Sequence, residues 1–142
     1  MHEGLLENLP HGKEFRFIDS IEELRHGHSA VGTYRVKGNE DFLKGHFPNN
    51  PFLPGVILVE SVAQLAGIVI QSNPGMKPLD NLRLCAIRNA KIKGTATPGE
   101  VLRISVELTG SLEALVQAKG TVSVHDKMIL SVEVTLSGAL NQ

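Results

Sequence analysis

The sequence predicts an α+β fold, with one long hydrophobic helix laid on the dry face of an antiparallel sheet. Two observations carry that prediction. The run Val56–Ile70 is apolar except for Glu60, Ser61 and Gln64, which suits a helix surrounded by protein on all sides. Downstream, Leu102, Ile104, Val106 and Leu108 alternate with Arg103, Ser105, Glu107 and Thr109, the period of a half-buried strand. Val116–Val124 and Met128–Leu136 repeat that alternation, and short turns join all three stretches into a meander with one wet face. An apolar helix against the dry face completes the two layers.

Taken in order, the first nine residues suit a short helix closed by Pro10. Arg16–Ile21 and Ala30–Val36 read as strands, with Gly27 near their connection. From Gly38 to Gly55 the breaks at Gly45, Pro48, Pro51 and Pro54 predict an ordered loop. The helix opens at Pro54-Gly55, proline being tolerated in a first turn, and stops before Asn73-Pro74-Gly75. Leu82–Ile92 is expected as a strand, Thr97-Pro98-Gly99 as a turn, and His125-Asp126-Lys127 as the last reversal.

The 142 residues are expected to form one domain, 1–142, without repeats or linkers. A net charge of −1 excludes a general nucleic-acid binder, which would carry a basic excess. The lone Cys85 excludes an internal disulfide and suits a reducing cytoplasm; mid-strand, it reads as a small core residue. The start of the chain has no basic segment leading into an apolar run, so it does not read as a secretory signal. The apolar run is too short for a membrane span of about 20 residues.

Two residues are candidates for chemistry, with a structural loop histidine and a solvent-facing helix-edge glutamate as the plain alternatives. His46 stands on a loop fixed by Gly45 and Pro48, immediately before the helix, and histidine titrates near neutrality. Glu60 lies among Val56, Ile57, Leu58, Val59, Val62 and Ala63, where an apolar setting disfavours a charged carboxylate and leaves the acid able to donate. Together they make a general base and a general acid. Gln64 lies one helical turn beyond Glu60 on the same face, placed to orient it or the substrate. The Gly55 N–H sits at the helix N-terminus, where unpaired donors favour developing negative charge. The other histidines, His2, His11, His26, His28 and His125, read as ordinary surface or core residues.

These residues fall in a larger pattern. Leu9-Pro10-His11, Phe15-Arg16-Phe17-Ile18-Asp19, Asn39–Pro48 with its Gly-His-Phe-Pro, Pro54-Gly55, Glu60-x-x-x-Gln64, Ala66-Gly67, Ala90-Lys91-Ile92-Lys93 and Pro98-Gly99 resemble the bacterial 3-hydroxyacyl-(acyl carrier protein) dehydratases. The resemblance covers nearly the whole chain. Asn49 stands where the family usually has glycine, and asparagine is the residue that next best tolerates positive φ. Leu84 and its neighbours replace bulky aromatics common around the relatives' acyl tunnel.

The resemblance implies the hot-dog fold, a long central hydrophobic helix wrapped by a curved antiparallel β-sheet. It also implies dehydration of a (3R)-3-hydroxyacyl thioester to the trans-2-enoyl thioester, with substrate carried on the phosphopantetheine arm of acyl carrier protein. His46 would take the C2 proton, Glu60 would protonate the leaving hydroxyl, and Gly55, Phe47, Pro54 and Gln64 would contact substrate. No metal or other cofactor is implied. A homodimer is implied, with His46 and Glu60 of each site coming from different protomers; relatives with Glu at this position often assemble further into hexamers. Lys44, Arg88, Lys91 and Lys93 are candidates for a basic rim that docks the acidic carrier. Two alternatives stay open: an acyl thioesterase of the same fold, and a non-catalytic acyl-binding subunit.

Overall fold

The computed structural model describes residue 6, residues 15–40, residue 43, residues 52–75 and residues 79–140. Strands β1 (Ser20–Arg25) and β2 (Ser29–Arg35) precede helix α1 (Gly55–Gln71). After it come β3 (Leu79–Ile92), β4 (Val101–Leu112), β5 (Leu115–Val124) and β6 (Lys127–Leu140). All six strands form one antiparallel sheet in the order β1-β2-β4-β5-β6-β3. Helix α1 touches five of them, β2 through β6. Five strands laid flat span about 19 Å at roughly 4.8 Å apiece. A helix is only about 10–12 Å across, so contact with all five bends the sheet around it. This is the hot-dog arrangement.

The meander is as expected. Leu102, Ile104 and Val106 of β4, Val116, Ala118, Val122 and Val124 of β5, and Leu130, Val132, Val134 and Leu136 of β6 are buried against the helix. The β5–β6 turn is built on His125 and Asp126, both at positive φ (52° and 64°), the geometry of a two-residue hairpin turn whose twist matches the strands. On the wet face, Glu107 lies opposite Lys119, Lys119 opposite Glu133, and Glu133 opposite Arg88. Charges therefore alternate in sign across four strands, each neighbour mildly stabilising the next.

Three expectations need correction. The first strand is not Arg16–Ile21 but Ser20–Arg25. The Phe17 N–H is taken by the Gln64 side chain at 2.8 Å, so the chain joins the sheet only beyond it, from Asp19, whose N–H donates to Thr33. The strand then runs on through Glu22, Glu23 and Arg25, charges that blunt an exposed edge and hide it from a hydrophobicity reading. Strand β3 begins at Leu79, not Leu82, because the Gln71 amide pairs with both the N–H (3.0 Å) and the carbonyl (2.8 Å) of Leu79. The end of β6 follows, with Leu140 opposite Leu79. Cys85 is exposed on β3, not in the core. The expected N-terminal helix and most of the 38–55 loop lie outside the described residues.

Helix α1 matches its expected bounds and buries twelve of its residues. Ser61, fully buried, satisfies its hydroxyl on the Leu58 carbonyl at 2.7 Å. At its far end the Ser72 hydroxyl accepts the Gly27 N–H and the Ser72 carbonyl meets His26 Nδ1 at 3.2 Å, which seats the β1–β2 turn on the helix. No helix among the described residues is long and apolar enough to cross a membrane.

The closest approach of sheet to helix is at Gly120, where an added Cβ would meet Val62 Cγ1 at 2.5 Å and the Ser105 carbonyl oxygen at 2.9 Å. The second of these is backbone inside a central strand and cannot swing away. Gly120→Ala is therefore expected to lower unfolding stability by about 1–3 kcal/mol through overpacking. Urea denaturation checks this, and an unchanged midpoint would show that β5 can shift away from both contacts.

Candidate active site

The described part of the site is built on the first two and a half turns of α1. Pro54 precedes the helix with φ −58° and ψ 142° and, as a proline, offers no side-chain cap. No acidic residue stands in its first turn either. The Pro54 carbonyl already accepts the Ile57 N–H at 2.9 Å. The N–H groups of Gly55 and Val56 lie before the first i−4 bond within the helix, at the positive end of its dipole. Ile92 closes over the same point: a Cβ on Gly55 would lie 2.6 Å from its Cδ1.

Glu60 is half-buried, not enclosed as its apolar neighbours suggested. Of the pair it is Gln64 that is buried, at 2% exposure, and its bonds settle its orientation. Its Oε1 accepts the Phe17 N–H at 2.8 Å, so its Nε2 must face the other way. Nε2 donates to the Phe15 carbonyl at 2.8 Å and to Glu60 Oε1 at 3.4 Å. Both ends of the amide are thus engaged. Of the two roles open to Gln64 from the sequence, the geometry favours orienting Glu60 over binding substrate. The groups that hold it are backbone atoms of Phe15 and Phe17, for which a sequence carries no signal.

His46, Phe47 and Lys44 lie outside the described residues. Arg88, Lys91 and Lys93 are all exposed on or just beyond β3, a sheet edge that pairs only with β6 among the described residues. Glu133 lies opposite Arg88 and accepts a hydrogen bond from the Asn89 amide, so this rim is mixed in charge rather than purely basic.

Comparison with known proteins fits this geometry. The model of the FabA-like domain matches residues 9–133. The chain belongs to the FabA-like family. Proteins named 3-hydroxyacyl-(acyl-carrier-protein) dehydratase FabZ match it along most of their length. That of Clostridium acetobutylicum is 34% identical over 94% of each chain. The Caldanaerobacter subterraneus protein is 38% identical over 88% of each. Among solved structures, the dehydratase heterocomplex ApeI:P from Xenorhabdus doucetiae superposes with a TM-score of 0.77 at 17% identity, covering 92% of this chain and 87% of its own. A hypothetical thioesterase from Streptococcus pneumoniae, solved with coenzyme A, gives 0.66 at 14% identity over 87% of each. These two likenesses concern the fold.

Gln64→Leu leaves the Phe17 N–H and Phe15 carbonyl without their partner. It is expected to cost about 1–3 kcal/mol of stability and to slow turnover by freeing Glu60. Thermal unfolding and kcat, measured on the same preparation, check both halves.

Proposed function

We propose that His46 and Glu60 are the base and acid of a dehydratase acting on (3R)-3-hydroxyacyl thioesters held on acyl carrier protein. The chain is a 3-hydroxyacyl-(acyl-carrier-protein) dehydratase, a lyase of fatty-acid synthesis, as its family membership and its FabZ relatives indicate. The observation that best supports the residue assignment is Glu60 itself. It is a half-buried carboxyl on an apolar helix, with the amide of a buried Gln64 directed onto it.

In this reading His46 removes the C2 proton, which the adjacent thioester carbonyl acidifies. The enolate oxygen that develops is met by the Gly55 N–H, a contribution of about 3 kcal/mol by analogy with single oxyanion donors. Glu60 then gives its proton to the departing C3 hydroxyl, and water leaves. Gly55 and Glu60 are about 7.5 Å apart along the helix axis at 1.5 Å per residue. That offset leaves room for a carbonyl oxygen at one end and a hydroxyl at the other, each within hydrogen-bond reach. The side chain missing at Gly55 lets the thioester come close, with Pro54 and Phe47 beside it. No metal or other cofactor takes part.

The same reading holds residues 1–142 to be one domain working in the cytoplasm as a homodimer or a hexamer built from dimers. Support for self-association comes from the outer edge of β3, unpaired among the described residues, which carries exposed Ile87 and Ile92, and from Val56, exposed at the helix start. Long apolar edge strands are covered in a stable protein. Lys44, Arg88, Lys91 and Lys93 would meet the acidic carrier. The fold neighbour with coenzyme A leaves a thioesterase as the rival.

The direct test incubates trans-2-enoyl-carrier substrates with the protein and reads their masses. Gain of one water is the expected result, and steady release of free thiol would mean a thioesterase. His46→Ala should lose about 10²–10⁴ in rate while remaining folded. Undiminished turnover in that variant would refute its role as base.

Coexpression of His46→Ala with Glu60→Gln tests the shared site. If each site draws its histidine and glutamate from different protomers, half of a random dimer population carries one intact site. Recovery of about one quarter of wild-type activity is then expected from two-fold symmetry. No recovery would put both residues in one protomer.

A further inference from the structure

Ahead of His46 the chain leaves β2 through a compact polar knot. Tyr34, near the end of β2 and 2% exposed, donates its hydroxyl to Glu40 Oε2 at 2.6 Å. The same carboxylate accepts the backbone N–H of Lys37 at 3.1 Å and, through Oε1, that of Gly38 at 2.6 Å. Lys37 reaches back over the Tyr34 ring, 4.2 Å from its centre, and pairs with Asp19 at 3.3 Å. Asp19 in turn accepts the Arg35 N–H at 2.7 Å. One carboxylate thus holds three donors, two of them backbone. This is more than a solvent-facing glutamate requires.

The knot has two outlets. Downstream, the Leu43 N–H donates to the Glu40 carbonyl at 3.0 Å, and the Leu43 side chain is buried in the core. His46 is three positions beyond Leu43, a reach of at most about 10–11 Å. On the other side of the loop Leu53 is tied to the Ala96 carbonyl at 2.7 Å, but it is seven positions from His46, about 25 Å of possible reach. The shorter tether to the histidine is therefore the one on the Glu40 side. Inward, the Tyr34 ring packs edge-on against Phe17 at 5.7 Å, and the Phe17 N–H donates to Gln64, which faces Glu60. Tyr34 thus stands between the approach to the histidine and the support of the glutamate.

We infer that Glu40 is a positioning residue for His46, acting through its bond to Tyr34 and its hold on the 37–40 turn. The inference rests on the reading of His46 as the base. Burial pushes the Glu40 carboxyl up, but the Tyr34 hydroxyl and the N–H groups of Lys37, Glu40 and Gly38 outweigh it and hold the group below its ordinary value. The carboxylate therefore stays charged, and able to accept all its donors, across the range in which a histidine base works.

The test compares Glu40→Gln, Tyr34→Phe and the double variant with the wild type in hydration of a trans-2-butenoyl thioester of the carrier. Each is assayed as the full assembled chain, well below its melting temperature and with folding checked by circular dichroism. Glu40→Gln presents an amide N–H₂ to groups that are themselves donors, so it breaks the knot at nearly constant volume. A displaced base is expected to lower kcat about 10–100-fold with KM held within about two-fold. Tyr34→Phe should move kcat the same way, and the double variant should be no slower than Glu40→Gln, since both break one bond. Should Glu40→Gln fail to fold, Tyr34→Phe, which removes a single oxygen, carries the same comparison. Wild-type kcat in the folded variant, or losses that multiply in the double variant, would overturn the inference. His46→Ala run alongside separates the two levels. If it stays active the reading of the base has failed, whereas if it is dead and Glu40→Gln is normal, only the positioning role has.

Discussion

Helix α1 has no polar face, and the need to cover it from every direction shapes the rest of the structure. Each large side chain it hides, such as Leu58, Leu65 or Ile68, contributes roughly 1.5–3 kcal/mol when fully buried. The sheet can reach only part of the cylinder, however far it bends. The remaining flank needs chain that is not sheet, and Phe17 and Ile18, almost fully buried, help to supply it. Gln64 meets the backbone of this segment from inside the helix, with its amide oxygen on the Phe17 N–H and its amide nitrogen on the Phe15 carbonyl. A buried polar side chain is costly when unpaired, but here every strong hydrogen-bonding atom of it is used.

The same device recurs at the C-terminal end of α1. There Gln71 bonds both backbone groups of Leu79 as a neighbouring strand would, and so starts β3. Two glutamines, one at mid-helix and one at the last residue, stitch the helix to segments beside it. The difference between them is what lies next door. Gln71 touches only structure, whereas Gln64 has an N–H left over, and it points at Glu60. A proposed acid is thereby held by a group whose own geometry is fixed by packing, which is how a precise site is supported.

Much of this was legible in the sequence. The helix bounds followed from Pro54-Gly55 and Asn73-Pro74-Gly75, and β4, β5 and β6 from strict alternation, because these signals are local. Where reading failed, the deciding contact was distant in sequence. Strand β1 is displaced by Gln64, and β3 and β6 are lengthened by Gln71, 47 and 8 residues from their respective partners. Cys85 was misplaced because it was read from residue type; the alternation of half-buried Leu82, Leu84 and Ala86 with exposed Arg83 and Ile87 puts it on the exposed face. At the site, the spacing of Glu60 and Gln64 was visible as one turn on one face. Their roles were not, since exposure and amide direction depend on Phe15 and Phe17. Tyr34 and Glu40 escaped for the same reason: a tyrosine in a strand and a glutamate in a loop look ordinary until one is buried under the other.

The partial exposure of Glu60 is itself informative about chemistry. A carboxyl sealed in the core could not reach a carrier-borne chain arriving from solvent. A half-buried position on an apolar helix keeps Glu60 within that reach. The direction of Gln64 adds a constraint. Its Nε2 donates to Oε1, and an amide donor favours the acceptor oxygen of a carboxyl over its hydroxyl. When Glu60 is protonated, the proton is therefore directed to Oε2, away from the amide. The buried amide, itself fixed by the Phe17 N–H, thus helps to set the orientation of the proposed acid.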